Sequence, residues 1–445
     1  MKTILNVLLL TVFCLSAAVF GETPVVNVTV RCHQRWPWNG KVDIDYSVET
    51  TNEATSPVFA VAFFGKIDNG EPFALQSLKG EGSRGYVFGS GVKRVTWNAG
   101  ADKPFTNTQN LSVGVAAQDV TANAKYICLT LSDGSLNISS VGPDLENEAS
   151  KTTQMWFRRI EPGTFVTGSP ENEIGHKKNA AAEVQRTLTV TKAFYLGVLE
   201  VTQAQYQNIT GKNPSTSSPG EMLCPVNNVS YYDLRGSELG STWPQNQDYR
   251  IDTNSFFYTV RSLVDNGLIF DLPTDAQWEM ACRAGTTTAW NNGVAWLVPE
   301  EDPESGINSA DSEGGEAEVV ETKEEEAAVQ RHCDNLDLLG WYSDNTDYTR
   351  CQNVGQKLPN ALGLYDMHGN VWEWCITRVY RGGSYTSIDS PGPMTGNTRS
   401  LRGGAWDEWA VRARSARRFS CDPKKGTTGN MPTSSVGFRI AIIIQ

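Results

Sequence analysis

The sequence predicts an α+β chain in two parts, an all-β sandwich followed by a loop-rich domain with a few helices. Three observations carry this expectation. A length of 445 residues exceeds what one ordinary hydrophobic core organises. Residues 25–130 run in short stretches that alternate apolar and polar side chains. After Met155 the apolar spacing lengthens to that of amphipathic helices, set among stretches rich in Gly, Asn and Trp.

The first residues, MKTILNVLLLTVFCLSAAVFG, place Lys2 before an apolar run from Ile4 to Phe13, then small residues at Ser16, Ala17, Ala18 and Gly21. This is the pattern of a cleaved secretory signal over 1–21. The run is short of the ~20 residues that a spanning helix needs, so the expectation is a secreted or periplasmic chain with no membrane span. VVNVTVRC, KVDIDYSV, VFAVAFFGKI, KRVTWNA, LSVGVAAQD and KYICLTL then follow across turn residues, as strands of an immunoglobulin- or fibronectin-like sandwich over 24–132. Residues 133–152, with their Gly, Ser, Pro and acidic side chains, read as a linker, and 153–445 as the second domain. There, Ala204, Tyr206 and Ile209 recur at near-helical spacing after Thr202, a good N-cap. Thr274 repeats the arrangement, with Gln277 placed to complete a capping box.

The formal charge of -12 is concentrated in EEDPESGINSADSEGGEAEVVETKEEE, residues 300–326, which has too few apolar side chains to order itself and reads as a disordered acidic insertion. The rest of the chain is near neutral and offers nucleic acid no electrostatic footprint. Beyond Cys14, eight cysteines remain: Cys32, Cys128, Cys224, Cys282, Cys333, Cys351, Cys375 and Cys421. An even number in an exported chain reads as disulfides, and Cys32 and Cys128, in the first and last strands of the sandwich, are placed to tie its ends. Four histidines and no CxxC spacing leave little from which to build a zinc or iron site.

Seven segments carry a resemblance: EPGTFVTGS, EVTQAQYQNITGKNPS, PVNNVSYYD, LPTDAQWEMACRAGT, VGQKLPNALGLYDMHGNVWEWC, LRGGAWDEWAVRARSARR and VGFRIA. In this order they closely resemble the formylglycine-generating enzyme, or sulfatase-modifying factor, family. The resemblance implies a variant of the C-type-lectin-like fold with little regular secondary structure. It also implies a structural calcium held by Asn370, Glu373 and the carbonyls around Gly369 and Val371, an all-oxygen set suited to a hard cation. The alternative is that Asn370 caps a turn while Glu373 pairs with an arginine of the RGG region. Asp366, Trp372 and Trp374 then form the packing shell, and His368 is a surface or hydrogen-bonded residue.

In the family, oxidation of a substrate cysteine uses copper(I) held by two cysteines shortly after an RGG[SA][WY] turn. Here the turn is Arg402-Gly403-Gly404-Ala405-Trp406, and the positions for the thiols fall near Glu408 and Ala410. Neither holds copper(I) as a thiolate does. The resemblance also suggests pairing Cys282 with Cys375, leaving Cys333 with Cys351 and Cys224 with Cys421, among on the order of a hundred connectivities. The leading functional expectation is a binding or partner protein without copper. Its ligand cleft is formed by Arg402, Trp406, Asp407, Trp409 and Arg412, and it takes a polar ligand such as a glycan or peptide, or engages a sulfatase or another exported protein. An enzyme of altered chemistry with Glu408 as acid or base is the second expectation, and a conventional sulfatase activator the third.

Overall fold

A computed structural model describes residues 26–444 apart from 36–38, 52–55, 69, 103–110, 177–182, 245–248, 298–330, 380–385 and 425–432. The expected secretory signal and the acidic insertion lie outside the described residues.

The N-terminal part holds eight strands in two antiparallel sheets: β1 (Val26–Gln34), β2 (Lys41–Thr50), β3 (Val58–Ile67), β4 (Phe73–Ala74), β5 (Leu78–Gly80), β6 (Tyr86–Phe88), β7 (Gly91–Asn98) and β8 (Leu111–Asp119). One sheet runs β1-β2-β7-β5; in the other, β3 pairs with β4, β6 and β8. Strand alternation aims Val42, Ile44, Tyr46 and Val48 of β2 and Phe59, Val61 and Phe63 of β3 into one apolar cluster with Val95 and Trp97. Tyr46 donates its hydroxyl to the Glu81 carbonyl, so this buried phenol is satisfied.

The boundary between the two parts differs from the sequence expectation. β9 (Tyr126–Thr130), taken there as the last strand of the sandwich, pairs with β10 (Leu136–Ser139) and with β11 (Gln154–Ile160). These open a six-stranded antiparallel sheet, β10-β9-β11-β14-β22-β15, completed by β14 (Phe194–Gly197), β15 (Ile269–Asp271) and β22 (Ala441–Ile443). Residues 133–152 therefore contain a strand and a short helix, Ala149–Thr152, and are not a linker. Period-two patterning says that KYICLTL is a strand but not which sheet receives it. Between β11 and β14, β12 (Gly163–Thr167) and β13 (Arg186–Val190) make a ribbon; β16 (Gly340–Trp341) pairs with β17 (His368–Gly369). A further sheet, β20-β19-β18-β21, joins β18 (Trp372–Val379), β19 (Thr398–Arg402), β20 (Phe419–Cys421) and β21 (Val436–Gly437).

Among the described residues, four helices longer than one turn support the sheets: α1 (Gln203–Thr210), α2 (Tyr231–Arg235), α3 (Phe256–Val264) and α4 (Asp275–Arg283). Thr202 and Thr274 cap α1 and α4 with full capping boxes, as the sequence indicates. The large core lies between the six-stranded sheet, α3 and β18, around Phe157, Phe257, Phe270, Trp372, Trp374 and Phe438. Val58 and Phe88 of the N-terminal part enter that core. Ser83 and Arg84 donate to carbonyls of Val264 and Asp265 at the end of α3, so N-terminal residues satisfy acceptors that the helix leaves open.

Candidate functional site

GLYDMHGNVWEWC, residues 363–375, threads through the centre of the second part, and its polar groups are buried. Glu373 lies in β18 and is fully buried. One of its oxygens accepts from Trp278 Nε1 at 2.7 Å, and both accept from Arg439 at 2.8–3.1 Å. Asn370 accepts from Gln352 N and donates to Glu200, whose other oxygen accepts from Val371 N at 3.1 Å. The calcium set of Asn370, Glu373, Gly369 and Val371 therefore does not fit as expected, because the carboxylate it needs is committed to Arg439 and Trp278. The expected arginine partner is likewise corrected, from the RGG region to the VGFRIA segment. Burial, followed by the nearby charges of Asp366 and Glu373, pushes Glu200 well above the usual carboxylate range. Burial likewise raises Asp366 to about 6, and its Oδ1 has no hydrogen-bond partner. His368 is buried rather than at the surface. Its Nδ1 bonds to the Ala413 carbonyl at 2.7 Å and its Nε2 accepts from Asn291 N, and burial lowers its pKa to about 4.

The RGG segment supplies a second buried network. Arg402, expected in a ligand cleft, is fully buried and reaches Asp275 and Glu279, each at 2.5 Å, and the carbonyls of Ser415 and Arg417. Asp275 and Glu279 stand one turn apart on α4, so they share a face. Arg418 contacts both carboxylates, and Arg283 contacts Glu279. Burial alone would raise the Glu279 carboxyl, but Arg402, Arg418 and Arg283 outweigh it and hold it well below its ordinary value. Arg414 pairs with Glu173 and Glu183, which Arg417 also reaches. Guanidinium forks and paired carboxylates here satisfy one another in the interior. From the sequence, Arg414 and Arg417 are expected to tie loops together through carboxylates, as they do, whereas Arg402 is not; the four-residue spacing of Asp275, Glu279 and Arg283 is the nearest local sign of its partners.

What remains open to a ligand is narrower than expected. Trp406 is 8% exposed and packs on Val371, Cys224 and Cys351. Asp407, Glu408, Trp409 and Arg412 are partly exposed. Burial and then the Glu408 charge raise Asp407 to about 6, and its Oδ1 has no hydrogen-bond partner. Glu408 faces Arg412 at 3.8 Å, and Trp409 Nε1 donates to the Tyr348 hydroxyl at 2.8 Å. Arg331 lies over the Trp409 ring at 5.0 Å. Sequence reasoning had passed over Tyr348 and Arg331, which come from a different segment of the chain. The resulting patch offers an indole, a phenol and both signs of charge.

None of the expected disulfides is formed among the described cysteines. Cys32 lies in β1 and Cys128 in β9, in different sheets. Cys282 and Cys375 share an apolar cluster without a bond, the Cys282 sulfur lying 3.7 Å from Ser415 Oγ. Cys333 and Cys421 belong to clusters away from Cys351 and Cys224. Cys224 and Cys351 instead meet each other beneath Trp406, the Cys224 sulfur 3.6 Å from the Cys351 carbonyl oxygen. The Cys224 thiol, bonding to Cys351, draws the latter down to about 7, and its own value is pushed up.

Known proteins are similar to the second part of the chain. Residues 143–444 match the family model described as a sulfatase-modifying factor enzyme 1-like domain. A chaperone protein, LppX, of Paenibacillus barcinonensis is 26% identical over 272 residues, covering 54% of this chain and 83% of that protein. The formylglycine-generating enzyme of Thermomonospora curvata is 32% identical over 184 residues, 38% of this chain and 48% of the relative, so the match spans about half of that enzyme. The bovine (Bos taurus) formylglycine-generating enzyme is 23% identical over 310 residues, covering 63% of this chain and 73% of the enzyme. Among solved structures, Treponema denticola variable protein 1 aligns with TM-score 0.44 and 22% identity, covering 65% of this chain and 95% of that one.

Proposed function

The chain belongs to the sulfatase-modifying factor enzyme 1-like family, and from that premise we propose that it is an exported binding protein without the family's copper chemistry. One observation carries the reading: the positions after Trp406 where thiols are expected present the Glu408 carboxylate and the buried methyl group of Ala410. Copper(I) needs soft donors, which neither supplies. The remaining accessible groups, Trp409 with the exposed Tyr348, Arg412 with Glu408, and Asp407, suit a polar ligand that stacks on an aromatic ring and accepts and donates hydrogen bonds at its edge. A glycan or an extended peptide of another exported protein has this chemistry. The relative named as a chaperone supports the peptide arm. The N-terminal two-sheet part serves as a spacer or a second binding module.

Glycan and peptide arrays probed with the full chain test this reading. Binding to one class, lost by tenfold or more in Trp409→Ala and reduced in Arg412→Ala, supports it; the Trp→Ala estimate is of the size seen for buried aromatic anchors, ~2 kcal/mol. Binding that is indifferent to both substitutions contradicts it.

A further inference from the structure

The thiols beneath Trp406 and the Trp409 patch above them are built on the same two segments of the chain. Residues 406–409 lay Trp406 over Cys224 and Cys351 and carry Trp409 to the surface, while residues 343–351 supply Tyr348 and end on Cys351 itself. Thr346 Oγ1 donates to Trp406 O at 2.6 Å, Ser343 N donates to Glu408 O at 3.0 Å, and Trp409 Nε1 donates to the Tyr348 hydroxyl at 2.8 Å. The last of these bonds is the outermost, since Tyr348 is 47% exposed.

Both segments carry unrelieved cost. Trp406 Nε1 and Asp407 Oδ1 are closed to solvent and have no hydrogen-bond partner, a loss of about 1–3 kcal/mol for each such group. Lifting residues 406–409 into water satisfies both. Opposite them, Asp347 and Tyr348 are consecutive non-glycine residues in the left-handed region, with φ of 51° and 54°, a conformation that L side chains adopt at a cost. Below the junction the backbone is held independently. Cys351 N donates to Ser217 Oγ at 3.2 Å, Gln352 N to Asn370 Oδ1 at 3.0 Å and Cys224 N to Glu221 O at 2.9 Å. A local opening therefore uncovers the two sulfurs and leaves the residues that carry them in place.

We propose that Cys224 and Cys351 form a thiol–disulfide exchange site and that the Trp409–Tyr348 contact is its latch: a small external disulfide reaches the sulfurs when residues 406–409 lift from 343–351. The Cys351 thiolate attacks one sulfur of the external disulfide, whose S–S bond breaks; the departing thiolate takes up the proton that Cys351 released. Cys224 then gives up its proton and attacks the Cys351 sulfur, closing the Cys224–Cys351 bond and releasing the second external thiol. Two protein thiols lose two electrons, and one external disulfide becomes two thiols. Cys351 attacks first because the Cys224 thiol hydrogen-bonds to it and holds it below the ordinary thiol range. A molecule spanning Trp409 and Tyr348 favours the closed form, so occupancy of the patch and oxidation of the pair oppose one another in both directions. The latch rests on contacts within the chain and not on the ligand proposed for the patch.

The test times formation of the Cys224–Cys351 bond in the reduced full chain with oxidised glutathione, by acid quench, alkylation and mass spectrometry. Cys282, buried in a different cluster, is read in the same digest as a reporter of global unfolding. Tyr348→Phe removes the latch bond at an exposed position and touches neither sulfur, and is expected to speed bond formation about fivefold, the scale of one hydrogen bond. Trp409→Ala is expected to speed it at least as much, with Cys282 at its parental rate in both variants. If Trp409→Ala does not fold, Tyr348→Phe carries the comparison alone. Bond formation at the parental rate in the folded variants overturns the latch, as does a rise that Cys282 shares. A parent that never forms the Cys224–Cys351 bond overturns the exchange site. Array binding is read separately, so a patch without a glycan or peptide ligand leaves these rates as evidence.

Discussion

Buried side chains with unusual protonation give the sharpest handles at the scale of single residues. Asp366 is held near 6 against an ordinary 3.8 by burial. A raised carboxyl contributes stability that is fully present below the unfolded value and is lost as pH rises through the folded one, here from about pH 4 to about pH 6. The two-unit difference corresponds to at most about 3 kcal/mol. Asp366→Asn is therefore expected to flatten this part of the stability profile and to be about 1–3 kcal/mol more stable than the parent at pH 8, measured by urea unfolding across pH. A variant whose profile parallels the parent's contradicts this. Cys224 and Cys351 form the other residue-scale prediction. The Cys224 thiol draws Cys351 down to about 7, but both sulfurs are buried, so an external disulfide reaches them only when the cluster beneath Trp406 opens. Oxidised glutathione should join tryptic peptides 213–235 and 351–357 in a non-reducing digest. Recovery of Cys282–Cys375 or Cys224–Cys421 instead would restore the pairing expected from sequence.

The helices were legible because their signals are local, whereas the partners of their buried charges were not. Thr202 and Thr274 act within four residues, so the caps of α1 and α4 follow from reading the chain. Arg402 looked like a ligand-binding arginine because an RGG turn resembles a site, and nothing near it in sequence shows Asp275 and Glu279 waiting on α4. Glu279 is the centre of that helix's energetics. Its depressed carboxyl stabilises the fold at neutral pH, and this contribution disappears as pH falls below the ordinary carboxylate range. Glu279→Gln leaves Arg402, Arg418 and Arg283 sharing one buried carboxylate fewer, and is expected to cost about 3–5 kcal/mol. Thr274→Ala, which removes only the cap, should cost about 1 kcal/mol. Equal losses in the two variants, measured by urea unfolding at pH 7, would deny the network its part in holding α4.

On the scale of the whole molecule, the two parts are less separable than the sequence suggests. β9 is an interior strand of the six-stranded sheet, yet it precedes the region of family similarity, which begins at residue 143. Alternation made it visible as a strand, and only long-range pairing assigns it to the second part. A fragment of residues 143–445 lacks β9 and β10 and exposes the edge of β11, so it should fail to unfold cooperatively. A fragment of residues 120–445 should fold, and melt below the full chain because Val58 and Phe88 no longer enter its core. Cooperative melting of the shorter fragment would show that β9 is dispensable. The Trp409 patch and the thiol pair beneath Trp406 both lie in this folded part.

Mass spectrometry of a CxPxR peptide incubated with the full chain, copper(I) and oxygen tests the central claim most directly. With Glu408 and Ala410 where thiolates would have to be, the account predicts that the peptide cysteine stays unconverted in both the parent and Cys224→Ser. Formation of formylglycine by the parent would contradict it, and loss of that product in Cys224→Ser would assign the chemistry to the thiols beneath Trp406.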